Sequence, residues 1–208
     1  MALRIPPGRA GRTWLLARLQ IASRGAELLD RKRQVLLREQ ARVRAEAAAA
    51  LRAWTDASEH ASRWTDHAAM LDGAGRLELL AQHVHEEPSL EVRWSNLMGA
   101  RIPAAEAIAI PDPPPFSALG GSSAAVMAAR ASGEAVRAAA RYAVAARADL
   151  ELSAELRRAA RRLRALQERW IPQHEEALAR LDLALDENQR EQAARVRWLT
   201  RRREPEGR

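Results

Sequence analysis

His83, His85, Glu86 and Glu87 are metal-binding residue types within five positions, and any metal chemistry in this chain would begin there. Histidines two apart point to different faces of a helix, so the four donors do not converge on one ion and no metal site is expected. His60 and His67 are seven apart and share a helical face, but no third ligand stands nearby to complete a site. Gly8, Gly11 and Thr13, with Arg9 and Arg12 between them, echo a phosphate loop. The echo is too short, has arginine where the lysine belongs, and follows no strand. The chain has no cysteine, which removes thiolate chemistry and disulfides together. No carboxylate pair, Ser/His/Asp set or glycine-rich nucleotide loop presents itself. The sequence therefore predicts no catalytic residue, no cofactor and no enzyme.

Charge is the remaining chemistry. Arg157, Arg158, Arg161, Arg162 and Arg164 form one cluster, and Arg195, Arg197, Arg201, Arg202 and Arg203 form another, interleaved with Val196, Trp198 and Leu199. A nucleic-acid interface would add aromatic stacking platforms or a known reader motif, and neither accompanies the arginines. The first cluster reads equally as a solvated helix flank or a binding surface. The second, with its apolar residues, suits insertion into a protein collar. The net charge is +7, with 34 Lys+Arg against 27 Asp+Glu and a single lysine, Lys32. Much of it is interleaved in helix-stabilising pairs such as Glu27/Arg31, Glu176/Arg180, Asp186/Arg190 and Glu191/Arg195. The excess favours acidic partners or an electronegative surrounding.

What must hold these side chains is legible as a stripe. Leu15, Leu19, Ala22, Ala26, Leu29, Arg33, Leu36, Gln40, Val43, Ala47, Ala50, Trp54, Ala57, Ala61, Trp64, Ala68 and Leu71 follow one another in alternating steps of three and four. Such a stripe averages 3.5 residues per turn and calls for a partner helix that winds with it. At helical rise it spans about 85 Å, far beyond a small globular domain. A second seam runs through Val136, Ala140, Leu152, Leu156, Ala159, Leu163, Leu166, Trp170, Leu178, Leu181 and Leu185, in a helix of close to 120 Å. Between Leu163 and Leu178 its steps lengthen to three, four, four, four, which relaxes the left-handed supercoil, and Pro172 inside that stretch bends the helix. Aromatic residues are only 4%, against 47% hydrophobic overall, which favours extended helix pairs over a thick core.

The boundaries follow from the breakers. Residues 1–12 read as an irregular N-terminus, with Pro6, Pro7, Gly8 and Gly11, and 13–71 as a helix capped by Thr13 and interrupted by Gly25. Residues 72–122 read as a middle segment. It opens at Asp72 and Gly73, holds a short helix from Arg76 to about Glu86, and then carries strand-like text at Leu90, Val92 and Trp94. A turn at Met98–Gly99 would lead to a return strand with Ile102, Ile108 and Ile110. After the stiff run from Asp112 to Pro115 and a Gly120–Ser123 joint with a serine cap, residues 123–203 form the second long helix, and 204–208 a tail. The expected fold is mainly α: a long antiparallel two-helix coiled coil of N- and C-terminal helices, with a short helix and β-hairpin at the turn-around end. No apolar run is long enough to span a bilayer and the N-terminus lacks a secretory signal, so the expected location is cytoplasmic.

Several ordered motifs carry a resemblance. Residues 12–39 run from Arg12-Thr13-Trp14 through Gly25, Leu28-Leu29 and Lys32-Arg33 to Leu36 and Glu39. Arg161-Arg162 leads through Ala165-Leu166 to Ile171-Pro172, and Glu187 through Arg190-Glu191 leads to Arg195 and Arg197. Between them Trp94 to Pro103 contains Gly99, Arg101, Ile102 and Pro103. In this order they resemble the D subunit of the V/A-type rotary ATPases and ATP synthases, the central-stalk rotor. Departures from its pattern are Arg164 for an asparagine, Gln167 for a glutamate and Ala194 for an aromatic.

The resemblance implies a non-catalytic shaft that transmits torque between a ring of A and B catalytic subunits and an ion-translocating membrane rotor. It implies ring contact at Arg12, Trp14, Arg190, Arg195, Arg197 and Trp198. It implies docking toward the stalk and membrane rotor at Trp94, Gly99, Arg101, Ile102 and Pro103. The stalk's F subunit would bind the shaft, and a socket subunit of C/d type would receive its membrane-side end. It implies no nucleic acid, and contact with the membrane only through other subunits. The seam residues Leu15, Leu19, Leu29, Leu36, Val43, Trp54, Trp64, Leu152, Leu156, Leu163, Leu166, Trp170, Leu181 and Leu185 would hold the shaft together. The alternative from another class is a basic coiled-coil scaffold or a protein that bridges nucleic acid.

Overall fold

The computed structural model describes residues 4–84, 87–112, 116 and 119–203. Among them the elements are α1 (Gly8–Asp72), α2 (Ala74–Ala81), β1 (Ser89–Leu97), β2 (Ala100–Ala109), α3 (Ser123–Arg164), a π-helical turn (Ala165–Trp170) and α4 (Ile171–Arg203). The protein is mainly α, with a long N-terminal helix, long C-terminal helices and a small antiparallel sheet between them in sequence. It divides into two compact units. Unit 1 gathers the residues up to 33 and those from 158 onward, and unit 2 holds Gln34–Arg157.

Helix α1 starts at Gly8, earlier than the breakers suggested. Gly8 takes φ +70°, the left-handed region that glycine enters without strain, and turns the chain into the helix. Gly11 lies inside the helix and the position requires glycine, since a Cβ there would sit 2.0 Å from the Pro6 carbonyl oxygen. Thr13 is no cap, since its hydroxyl donates to the Arg9 carbonyl one turn back inside the helix. The helix passes through Gly25 without a break.

In unit 2 the first half of the chain pairs with the second in descending order. Leu36 and Val43 share a core with Ala148, Leu152 and Leu156. Further along, the Trp54 ring stacks on Tyr142 with centroids 5.6 Å apart. Ala61 packs with Ala131 and Ala135, and Ala68 with Ala124, Ala125 and Ala128. Rising numbers on α1 against falling numbers on α3 define an antiparallel pair. Alanines dominate from Ala57 onward, and small side chains let two backbones approach closely.

One polar layer interrupts this seam. Gln40, 7% exposed, donates through Nε2 to Asp149 Oδ1 at 3.1 Å and to Ser153 Oγ at 2.5 Å. Arg44 reaches the same carboxylate at 3.1 Å. A buried amide satisfied only at one registration of the two helices fixes their register.

The sequence between the helices folds back on them. Helix α2 ends at Ala81, short of the expected Glu86, because His83 and Val84 amides bond back by three residues to Leu80 and Ala81 and tighten the chain into a turn. Strands β1 and β2 pair antiparallel through the two-residue turn Met98–Gly99, where φ is +53° and +84°. Positive φ at both central positions is the type I′ geometry that matches strand twist. A bulge at Ala104 on β2, opposite Arg93 and Trp94, shifts the register next to Pro103, which has no N–H for the ladder. Ile110 lies just beyond β2. The hairpin's inner face, Ala100 and Ile102, joins the Leu36/Leu152 core. At the start of α3 the hydroxyl of Ser122 accepts from the Ala125 amide and donates to Asp72 Oδ2 at 2.7 Å, so one serine caps α3 and ties it to the end of α1.

Unit 1 contains the π-turn. The Ile171 amide donates to Leu166 O, five residues back, just before Pro172. A proline ring clashes with the carbonyl four residues earlier and offers it no donor; one wider turn relieves both problems. In the same unit Arg12 Nε pairs with Asp182 at 2.8 Å.

Candidate functional site

The seam residues differ in depth. Leu15, Leu36, Val43, Leu152, Leu156 and Leu163 are buried. Leu19, Leu29, Trp64, Leu166, Trp170, Leu181 and Leu185 are half-buried. Trp54 is 37% exposed and works by stacking on Tyr142, while Leu71 is exposed on the last turn of α1.

Two seam tryptophans have polar partners that spacing alone did not reveal. Trp64 donates its indole N–H to His60 Nε2 at 3.0 Å, and His67 meets the same ring edge-on. The pair of histidines that share a face thus frame a tryptophan. Trp170 on the π-turn stacks on His174 with centroids 3.5 Å apart. His174 Nδ1 lies 2.8 Å from the Trp170 carbonyl, which only accepts, so this nitrogen donates. His174 is almost fully buried and its Nε2 has no partner among the described residues. Sequence reasoning passed over His174, although it stands on the lengthened seam between Trp170 and Leu178.

Of the residues assigned to a catalytic-ring contact, Arg12 bonds Asp182, and Trp14 is half-buried with the Arg18 guanidinium 4.5 Å above its ring. Arg190, Arg195, Arg197 and Trp198 lie on the last stretch of α4, where every described residue from Asp186 to Arg201 is exposed. Arg190 pairs with Glu187 at 3.6 Å, the i,i+3 neighbour rather than Asp186. Arg197 donates to the Ala193 carbonyl. Val196, Trp198 and Leu199 present apolar surface among these arginines.

The residues assigned to docking separate by face. Trp94 is 43% exposed with Arg101 stacked 5.0 Å above its ring, and Gly99 sits at the turn. Ile102 and Pro103 are buried, and Ile102 belongs to the core cluster, so neither side chain is offered to a partner. The hairpin's exposed surface is Leu90, Trp94 and Met98 with Arg101. Beside it, Leu77, Leu80, Val84, Ile110, Phe116 and Val136 line an open apolar groove of about 370 Å³.

Electrostatics are mild. Arg42 donates to Glu39 and Glu46 along α1. The hydrogen bond from Arg42 holds the Glu39 carboxyl below its ordinary 4.5 and, with the carboxylates' charge, pushes the guanidinium up. Among the described residues no three metal-ligating side chains converge, and His85 and Glu86 lie outside them. No described helix is long and apolar enough to cross a membrane.

The geometry defines a mainly α protein with an antiparallel pair of long helices and a β-hairpin in unit 2, and with arginines and apolar residues exposed along the end of α4. The family profile that describes the D subunit of ATP synthase matches residues 13–201, and the chain belongs to that family. It is similar to the A-type ATP synthase D subunit of Pyrococcus furiosus, 28% identical over 200 residues that cover 95% of this chain and 94% of that one. The A-type D subunit of Pyrococcus horikoshii is 28% identical over 94% of this chain and 92% of its own. The V-type ATP synthase D subunit of Thermotoga neapolitana is 26% identical over 94% and 96%.

Proposed function

We propose that this chain is the central-stalk shaft of a rotary ATPase or ATP synthase: non-catalytic, carrying torque between a catalytic A/B ring and an ion-translocating membrane rotor. Family membership supplies the complex. The observation that carries the mechanical reading is the antiparallel pairing of α1 with α3, held in one register by the Gln40–Asp149–Ser153 layer. A torque-bearing rod fails by sliding or untwisting, and a buried polar layer penalises any slip that leaves its groups unpaired.

In this reading the exposed end of α4, from Arg190 to Trp198, and the Arg12/Trp14 segment enter the catalytic ring. The exposed hairpin face at Trp94 and Arg101 meets the stalk's other components: the F subunit on the shaft, and a C/d-type socket above the membrane ring. An asymmetric rod turning in a ring shows each catalytic interface a different face in succession, which couples hydrolysis or synthesis to rotation. The shaft itself binds no nucleotide and touches the membrane only through its partners, on the cytoplasmic side. Co-expression with the A, B and F subunits tests this. A stable complex whose ATP turnover drops when the chain is crosslinked to the ring, and recovers on reduction, supports it; a chain that joins no complex refutes it.

A further inference from the structure

The chain's modest net charge conceals a separation. By sequence count, the residues of unit 1 carry 21 Lys+Arg against 11 Asp+Glu, a net of +10; those of unit 2 carry 13 against 16, a net of −3. In unit 2 some arginines pair with acids: Arg42 with Glu39 and Glu46, Arg44 with Asp149, Arg147 with Glu151. Unit 1 also holds ion pairs, such as Arg12 with Asp182 and Arg33 with Asp30, but it includes a basic stretch with no acid within it. From 158 to 167 there is no acidic residue. Arg161 and Arg162 are exposed with no acidic partner among the described residues, and Arg164 has only a 3.8 Å contact to Glu168, itself exposed. Holding so much like charge in one unit costs self-repulsion that unit 2 shows the same chain can avoid.

We infer that unit 1 docks against an acidic, carboxylate-rich protein surface, with Arg161, Arg162 and Arg164 as its anchoring row. This deepens the shaft reading and rests on it: the surface that meets unit 1 in the complex is electronegative, and unit 2 meets one that is not. Arginine is suited to the task, since its planar fork pairs with a carboxylate through two parallel hydrogen bonds and carries little hydration to lose. A phosphate backbone would also attract the row, but single-stranded nucleic acid needs free ring faces. Two of the three tryptophans in this unit, Trp14 and Trp170, are already covered by Arg18 and His174.

The test uses the full chain and its own A and B subunits, with capture measured across salt concentration. The wild type should lose about tenfold in affinity between about 50 mM and about 300 mM salt. Arg161→Glu, Arg162→Glu and Arg164→Glu together should weaken capture at low salt by at least about tenfold and flatten the salt dependence. The matched unit 2 set Arg52→Glu, Arg63→Glu and Arg141→Glu should leave capture within about twofold. Circular dichroism and melting temperature check that both triple variants fold, and Arg161→Gln, Arg162→Gln and Arg164→Gln serves if the reversal does not. Capture that ignores salt and the unit 1 variants overturns this inference and leaves the shaft reading standing. A wild type that is not captured at any salt overturns both. Equal, arginine-dependent binding to duplex DNA, with ring capture unaffected, overturns the inference in favour of a nucleic-acid ligand.

Discussion

Replacing Leu152 by alanine probes the place where α1, α3 and the hairpin meet. Leu152 is fully buried, against Leu36, Val43, Leu156, Ala148 and the hairpin's Ala100 and Ile102. Leu152→Ala removes most of a side chain whose burial is worth about 2 kcal/mol, and a cavity cost adds to it. Its alanine neighbours are too short to fill the space, so the total should be about 3 kcal/mol. For a chain of this size that lowers the melting temperature by about 6–12 °C, read by circular dichroism of the helical signal. Leu150→Ala, two residues away and 62% exposed, should change stability by less than about 0.5 kcal/mol. Because the hairpin shares the cluster, Leu152→Ala should also speed amide exchange in β1 and β2 more than in α4. Equal melting shifts for the two variants, or a hairpin untouched by Leu152→Ala, would refute this packing.

Three further outcomes follow from single contacts. Gln40→Ala removes the amide that donates to both Ser153 Oγ and Asp149 Oδ1 and should cost about 1–2 kcal/mol. Combined with Ser153→Ala in a double-mutant cycle it should show coupling of at least about 0.5 kcal/mol, and strict additivity would contradict the polar layer. Met98→Asn should raise the urea midpoint by the equivalent of about 0.5 kcal/mol, since asparagine enters the left-handed region that Met98 occupies at lower cost; a fall counts against the turn assignment. Glu39 has a folded-state pKa below its unfolded value, so its stabilisation is present above pH 4.5 and is lost as pH falls below that toward the folded value. Glu39→Gln should therefore reduce the loss of stability on acidification from about pH 6 to about pH 3, by a small amount because the Arg42 partner is largely exposed. An unchanged acid slope contradicts the pairing.

The helical skeleton was legible because burial between two helices writes itself as three- and four-residue steps. Even the departure near Pro172 was partly visible: steps of three, four, four, four signal more residues per turn, and the structure supplies the extra one as the π-turn. Which backbone device would absorb it was not readable, since a bend and a π-turn fit the same spacing. The early start of α1 escaped because Gly11 looks like a breaker in sequence, whereas the close local approach of the Pro6 carbonyl demands glycine inside the helix. The alternating residues of β1 were clear, but spacing does not say which hairpin face turns inward. Ile102 looked equally fit for docking until Leu36 and Leu152 were seen to cover it. His174 and Gln40 belong to the same class: polar residues on an apolar stripe, whose meaning depends on what the opposing helix provides.

The chain has no cysteine, so one introduced at an exposed hairpin position such as Ser95 gives a single attachment point for a bead. In the assembled ATPase, with its catalytic ring fixed to a surface, ATP should drive this bead in continuous one-way rotation at a rate that follows hydrolysis. A bead that stays still while the ring turns over ATP would contradict the shaft assignment.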